Sequence, residues 1–127
     1  MVNVSVLVSC GGTNLQALID EFYLGTINGE IKLVISNRKK AYGLVRAENA
    51  GIKNMVIKDQ DELLKTLKEE GIELVVLAGY LAIISDELIK EYENRIINIH
   101  PSLIPAFCGM GYYGLHVHEA AFKRGVK

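Results

Sequence analysis

Apolar residues gather in five short runs, Val2–Val8, Ile31–Ser36, Asn54–Ile57, Leu74–Ala78 and Ile96–Ile99, recurring at intervals of roughly 20 to 30 residues, which suits strand, helix, strand units. Helical patterns fill the gaps. Past Asn14, apolar residues fall at Leu15, Leu18, Ile19 and Phe22, the i, i+3, i+4, i+7 stripe of an amphipathic helix. Asp59 followed by Glu62 reads as a capping box, with Leu63, Leu64 and Leu67 as the buried face behind it. Ser85 is placed to cap another helix, whose inner side would be Leu88, Ile89 and Tyr92. Gly51 and Gly71 each stand where a helical pattern stops and a left-handed cap is expected. The strands are continuous apolar runs, Leu74–Ala78 above all, as they are when helices cover both faces of a parallel sheet. The pattern therefore predicts a doubly wound α/β domain.

Composition narrows the picture. A chain of 127 residues supports one compact core, so a single domain over 1–127 is expected. With 14 Lys plus Arg against 15 Asp plus Glu, there is no electrostatic reason to expect nucleic acid or an anionic membrane as partner. A small polar ligand fits better. No apolar run approaches the roughly 18 residues of a membrane span, and Met1–Ser5 lacks the basic region of a secretory signal, which together predict a cytoplasmic protein. Cys10 and Cys108 share no metal-binding or redox spacing. They are expected to be reduced thiols without a catalytic role.

Two stretches carry candidate chemistry. In the first, the strand at Val4–Val8 runs through Ser9 and Cys10 into Gly11-Gly12-Thr13-Asn14 and then directly into a helix. Glycines let the backbone approach a ligand, and the first amides of a helix have no internal partners, so this is the geometry of an anion site. The spacing is neither GxGxxG nor GxxxxGK[ST], which argues against a dinucleotide and a nucleoside triphosphate and leaves a phosphomonoester as the better fit. A plain tight turn capped by Thr13 or Asn14 would use the same residue types.

The second stretch is Ile96-Ile97-Asn98-Ile99-His100-Pro101, with Pro105 following; these are the only two prolines in the chain. Side chains alternate along a strand, so Asn98 and His100 are expected on one side, roughly 6.5 to 7 Å apart. They would lie at the carboxyl end of the fifth strand, where open parallel sheets bind ligands, and Pro101 biases His100 to extended geometry. The pair suits attack on a carbonyl carbon. The amide can donate to an oxygen that becomes anionic, and the imidazole can exchange a proton near neutral pH. The competing reading has both side chains satisfying backbone groups at the strand end. No metal-ligand set stands out, since His116 and His118 are two apart and do not share a helix face.

Taken together, SCGGTNLQAL after the first strand, VVLAGYLAIIS at 75–85 and NIHPSLIP at 98–105 resemble the phosphoribosylglycinamide formyltransferase family, in order and over essentially the entire chain. The resemblance implies a Rossmann-like formyltransferase fold, and formyl transfer from 10-formyltetrahydrofolate to the amino group of glycinamide ribonucleotide in purine (IMP) biosynthesis, without a metal. It further implies that Gly12, Thr13 and Asn14 form the ribonucleotide-phosphate loop. Leu81, Ala82, Ile83 and Ile84 would line the folate pocket, to which Asn98 also contributes. Asn98 and His100 would be the catalytic pair, the amide holding the formyl oxygen and the imidazole donating a proton. A 10-formyltetrahydrofolate hydrolase and a non-catalytic phosphate-binding module are the alternatives.

The sequence departs from the family pattern in three ways. Position 10 is Cys, and position 82 is Ala where a basic residue is common, which weakens the expected contacts to the polar part of the folate. Family members also continue past the point where this chain stops, into strands that bring an Asp to orient the histidine. On that reading, residues 1–127 are the N-terminal portion of a longer enzyme with its C-terminal strands absent. The loss of such an orienting carboxylate costs several orders of magnitude in rate. Self-association through the less well covered surface around Val75 and Ile97 is expected.

Overall fold

The apolar runs do form strands in the computed structural model, which describes residues 2–99. In chain order these residues build β1 (Val2–Val8), α1 (Thr13–Tyr23), β2 (Gly29–Ser36), α2 (Tyr42–Asn49), β3 (Lys53–Val56), α3 (Gln60–Glu69), β4 (Leu74–Ala78), α4 (Asp86–Glu91) and β5 (Ile96–Ile99). The sheet has the order β3-β2-β1-β4-β5, and every pairing in it is parallel. Winding runs outward from β1 to β3 and then reverses, so the switch point lies between β1 and β4. This is the doubly wound arrangement that the pattern predicts.

Alternation sorts the strand side chains onto two faces. Val4, Val6, Val8, Val76 and Ala78 pack with Leu15 of α1 and Ala47 of α2. On the other face, Leu7, Leu33, Ile35, Val75, Leu77 and Ile96 pack with Leu63 and Leu67 of α3 and Leu88 and Tyr92 of α4. Both layers are dry, and each fully buried Leu or Val contributes about 1.5–3 kcal/mol. The β1–β2 register slips between Val4 and Ser5, where Val4 faces Ile31 and Ser5 faces Leu33. Lys32 is the residue passed over and is exposed. The slip makes β2 one residue longer than the stretch of β1 it pairs with, as in a bulge.

The strand bounds differ from the apolar runs at three places, one of them the end of β3, which stops at Val56 and leaves Ile57 outside the strand. β2 begins at Gly29 and β3 at Lys53, because pairing with Val2 and Leu33 respectively recruits polar residues that no hydrophobic run marks. The caps agree with the sequence. Asp59 accepts from the Glu62 amide at 2.9 Å and Ser85 from the Leu88 amide at 3.2 Å, while Gly51 and Gly71 have φ of 74° and 71°. Tyr92 buries its ring and donates its hydroxyl to the Ile72 carbonyl at 2.9 Å, tying α4 to the start of β4. Among the described residues, no helix is long and apolar enough to cross a membrane.

Asp59→Ala should lower the unfolding free energy by about 1 kcal/mol through loss of the α3 cap, seen as a reduced urea midpoint at unchanged slope. Asp59→Asn should retain most of that stability.

Candidate active site

The carboxyl ends of β1, β2, β4 and β5 lie on one edge of the sheet, and the loops leaving them meet through one buried hydroxyl. Ser9, immediately after β1, is 1% exposed. Its Oγ donates to Asn37 Oδ1 at 2.6 Å and accepts from the Leu81 amide at 2.7 Å, so it joins the loops that follow β1, β2 and β4. Nothing in the pattern of polar and apolar residues marks Ser9, because both of its partners are remote in sequence.

The glycine turn sits beyond this junction. Gly12 occupies the N-cap of α1 with φ 73° and gives no side-chain cap, and the Gln16 amide closes on its carbonyl at 2.8 Å. Thr13 and Asn14 are therefore the first residues of the helix itself and not its caps. Their amides, with that of Leu15, belong to the first turn that has no internal acceptors, the requirement of an anion site. A Cβ on Gly12 would lie 2.8 Å from the Gly43 Cα, closer than carbon atoms approach. Only glycine meets both the backbone angle and the space.

Two contacts brace the turn from α2. The Gly43 amide donates to the Cys10 carbonyl at 2.9 Å, and Arg46 Nε donates to the Gly11 carbonyl at 2.6 Å. The same guanidinium reaches Gln16 Oε1 at 3.3 Å and lies 5.1 Å from the centre of the Tyr42 ring. Arg46 thus fixes the carbonyl side of the loop and leaves its amides outward. Cys10 is buried at the start of this turn. Cys108 lies outside the described residues.

Leu81–Ile84 form the connection between β4 and α4 and are placed from both sides. Tyr80 is buried, and its hydroxyl accepts from Gln60 Nε2 at 3.3 Å, while Gln60 Oε1 accepts from the Ser85 amide at 3.0 Å. Burial pushes the Tyr80 phenol above its ordinary pKa and the Gln60 hydrogen bond pulls it slightly back, so it stays neutral and holds the connection by hydrogen bonding alone. Leu81 and Ala82 are half-buried and Ile83 is exposed, whereas Ile84 is committed to the core. Ile84 can offer a ligand only its backbone.

Asn98 pairs with Leu77 across β4–β5. It thereby shares the face of Leu77 and Ile96, the face on which Ala82 and Ile84 also pack. Its Nδ2 is buried and has no hydrogen-bond partner among the described residues. An unsatisfied buried amide is costly, about 1–3 kcal/mol, and is explained most simply by an acceptor that arrives with a ligand. His100, the other member of the expected pair, lies outside the described residues, as does the Pro101–Pro105 loop. Of the expected site, the structure places Gly12, Thr13, Asn14, Leu81, Ala82, Ile83 and Asn98 along one edge. Ser9, Arg46 and Gln60 are the supporting residues that sequence reasoning missed.

Comparison with known proteins agrees with this geometry. The chain is 38% identical to the phosphoribosylglycinamide formyltransferase of Escherichia coli K12, over 98% of its own length and 60% of that protein. It is also 38% identical to the chloroplastic phosphoribosylglycinamide formyltransferase of Vigna unguiculata, over 98% of its length and 43% of that protein. The fold superposes on the crystal structure of glycinamide ribonucleotide transformylase 1 from Symbiobacterium toebii with a TM-score of 0.78 and 39% identity, covering all of this chain and 62% of that one. The chain thus spans between about two fifths and three fifths of the length of these relatives. The sequence model of the formyl transferase family matches residues 2–127, and with the parallel sheet, the glycine turn and the placement of Asn98 this establishes that the chain belongs to the formyl transferase family.

Proposed function

We propose that the chain carries out, as part of its full-length enzyme, the transfer of a formyl group from 10-formyltetrahydrofolate to the amino group of glycinamide ribonucleotide. The observation that carries this reading is the buried, unpartnered Asn98 Nδ2, a donor waiting for an oxygen at the sheet edge. The names of the relatives supply the acceptor, phosphoribosylglycinamide, and the place we propose for the reaction is purine (IMP) biosynthesis in the cytoplasm. Dimensions support the acceptor as well. Leu7, Leu77 and Asn98 lie side by side on β1, β4 and β5, so the phosphate turn leaving β1 and the amide on β5 are offset by two strand spacings, roughly 10 Å. A ribose phosphate bearing a short amino-terminal arm spans such a gap, with the phosphate on the amides of Gly12–Asn14 and the amine beside Asn98.

The chemistry then follows from the residues. The free amine attacks the formyl carbon, a C–N bond forms, and the carbonyl electron pair moves onto oxygen. Asn98 donates to that oxygen more strongly as it becomes anionic, which is where a fixed donor lowers a barrier. Collapse breaks the bond to N10 of the folate; N10 takes a proton as it leaves, and the attacking nitrogen gives up one of its own, which restores the proton donor. His100 is the donor in this reading, with a side chain that exchanges protons near neutral pH. Leu81, Ala82 and Ile83 line the folate side, held by the Ser9 and Gln60 bonds.

Asn98→Ala in the full-length enzyme should lower kcat by about 10²–10³, the usual cost of removing one oxyanion donor, with ribonucleotide affinity largely kept. His100→Ala should likewise collapse formyl transfer measured as tetrahydrofolate release, and an unchanged rate would remove His100 from the mechanism. Gly12→Val should abolish ribonucleotide binding in a calorimetric titration. Because that change also strains the fold, Thr13→Pro, which removes one outward amide at a helix position that tolerates proline, should weaken ribonucleotide binding in a chain that still melts cooperatively. Full affinity in the Thr13 variant would sink the phosphate assignment. Release of formate without any formylated amine would favour the hydrolase instead.

A further inference from the structure

The connection from β4 to α4 makes no backbone–backbone hydrogen bond at Leu81–Ile84 among the described residues. A segment with neither ladder nor helical bonds of its own keeps one shape only where side chains impose it. Three side chains do so. Ile84 is sunk in the core at 2% exposure, and Ser9 Oγ accepts from the Leu81 amide. The third is Gln60, at the start of α3, whose carboxamide accepts from the Ser85 amide and donates to the Tyr80 hydroxyl. This contact differs from the other two in kind, because one planar group grips the residues on both sides of the connection and so sets its span.

The polarity of the grip is fixed. A backbone amide only donates, so Oε1 faces Ser85, and Nε2 is left for the oxygen of a phenol that burial keeps protonated. Neither bond is needed by the helices themselves. Asp59 already caps α3, and the Ser85 hydroxyl already caps α4. The ring of Tyr80 packs in the apolar layer whatever its hydroxyl does. The Gln60 side chain therefore serves the connection alone. The glycine turn is held separately, by Arg46 and by the Gly43 amide, and Gln60 bonds to neither of them.

We infer that Gln60 is a positioning residue for the folate co-substrate alone: without reaching the ligand, its carboxamide holds Leu81–Ile84 in the arrangement that receives the folate and leaves ribonucleotide affinity untouched. This rests on the formyl-transfer reading above. Its separate content is the selectivity for one of the two substrates.

The test is steady-state formyl transfer by the full-length enzyme, with KM measured for each substrate, in the natural protein and in the Gln60→Leu, Gln60→Glu and Tyr80→Phe variants. Leucine occupies similar space and makes neither bond. KM for 10-formyltetrahydrofolate should then rise about tenfold, as for a segment that is competent about one-tenth of the time. KM for the ribonucleotide should stay as it was, and kcat should be largely kept, because a bound folate restores the arrangement before the chemical step. A glutamate accepts from both the Ser85 amide and the phenol hydroxyl, in a first helical turn that favours negative charge, so Gln60→Glu should return the folate KM close to its natural value. Tyr80→Phe removes one of the two bonds and should fall between, and it carries the test by itself if the Gln60→Leu chain does not fold. An unchanged folate KM in the Gln60→Leu and Tyr80→Phe variants overturns the inference. So does a parallel rise in both KM values, the mark of a general loosening of the fold. A Gln60→Glu variant as impaired as Gln60→Leu also overturns it, since the hydrogen bonds would then not be what matters. In each of these cases transfer by the natural enzyme leaves the functional reading standing, whereas its absence there removes that reading and this inference together.

Discussion

The geometry of the site depends on the hydroxyl of Ser9. A parallel sheet sends all of its loops out over one edge, and nothing in strand pairing fixes those loops to one another. Ser9 does so by donating to Asn37 and accepting from the Leu81 amide in a dry position, where each bond resists exchange with water and an unpaired partner would be costly. One side chain thereby sets the glycine turn after β1, the basic loop after β2 and the 81–84 connection after β4 in register. Without it the three would still be close but would not share a fixed frame.

The two faces of the sheet contribute different chemistry to that edge. The α1–α2 face supplies backbone: outward amides at Gly12–Asn14, with carbonyls turned back onto Gly43 and Arg46. The α3–α4 face supplies side chains and apolar wall: Asn98 in line with Leu77, and the 81–84 connection held by Tyr80, Gln60 and Ser85. In the proposed function, a substrate with an anionic end and a reactive amine meets both halves at once. The division also explains why the amide can stay unsatisfied. The cost of one orphaned donor is small beside two full hydrophobic layers.

Much of the fold was legible, because strand runs and helix stripes are local patterns that need no knowledge of what packs against what. The caps at Asp59 and Ser85 and the glycine stops at 51 and 71 were legible for the same reason. The phosphate turn and Asn98 could be read as candidates from glycine placement and strand parity. The alternative of a turn capped by Thr13 or Asn14 does not hold, since Gly12 is the N-cap and a glycine in the left-handed region can end a turn without any side-chain signal. Ser9 and Arg46 escaped notice because their roles come from contacts between residues 28, 35 and 72 apart. The slip at Lys32 was invisible too: it is a property of the pair β1–β2 and not of either strand.

The close approach of Gly12 and Gly43 couples two places that look independent along the chain. A Cβ on Gly43 would meet Val8 Cγ2 at 3.0 Å, much as one on Gly12 would meet the Gly43 backbone. The first turn of α2 is therefore wedged between the end of β1 and the anion turn, and has no room to shift without moving one of them. Substitutions at positions 12 and 43 should not be additive, and a repair of one will be found in the other. Sequence variation in this helix is thus constrained by the geometry of the glycine turn through a backbone contact, even where its side chains face away from that turn.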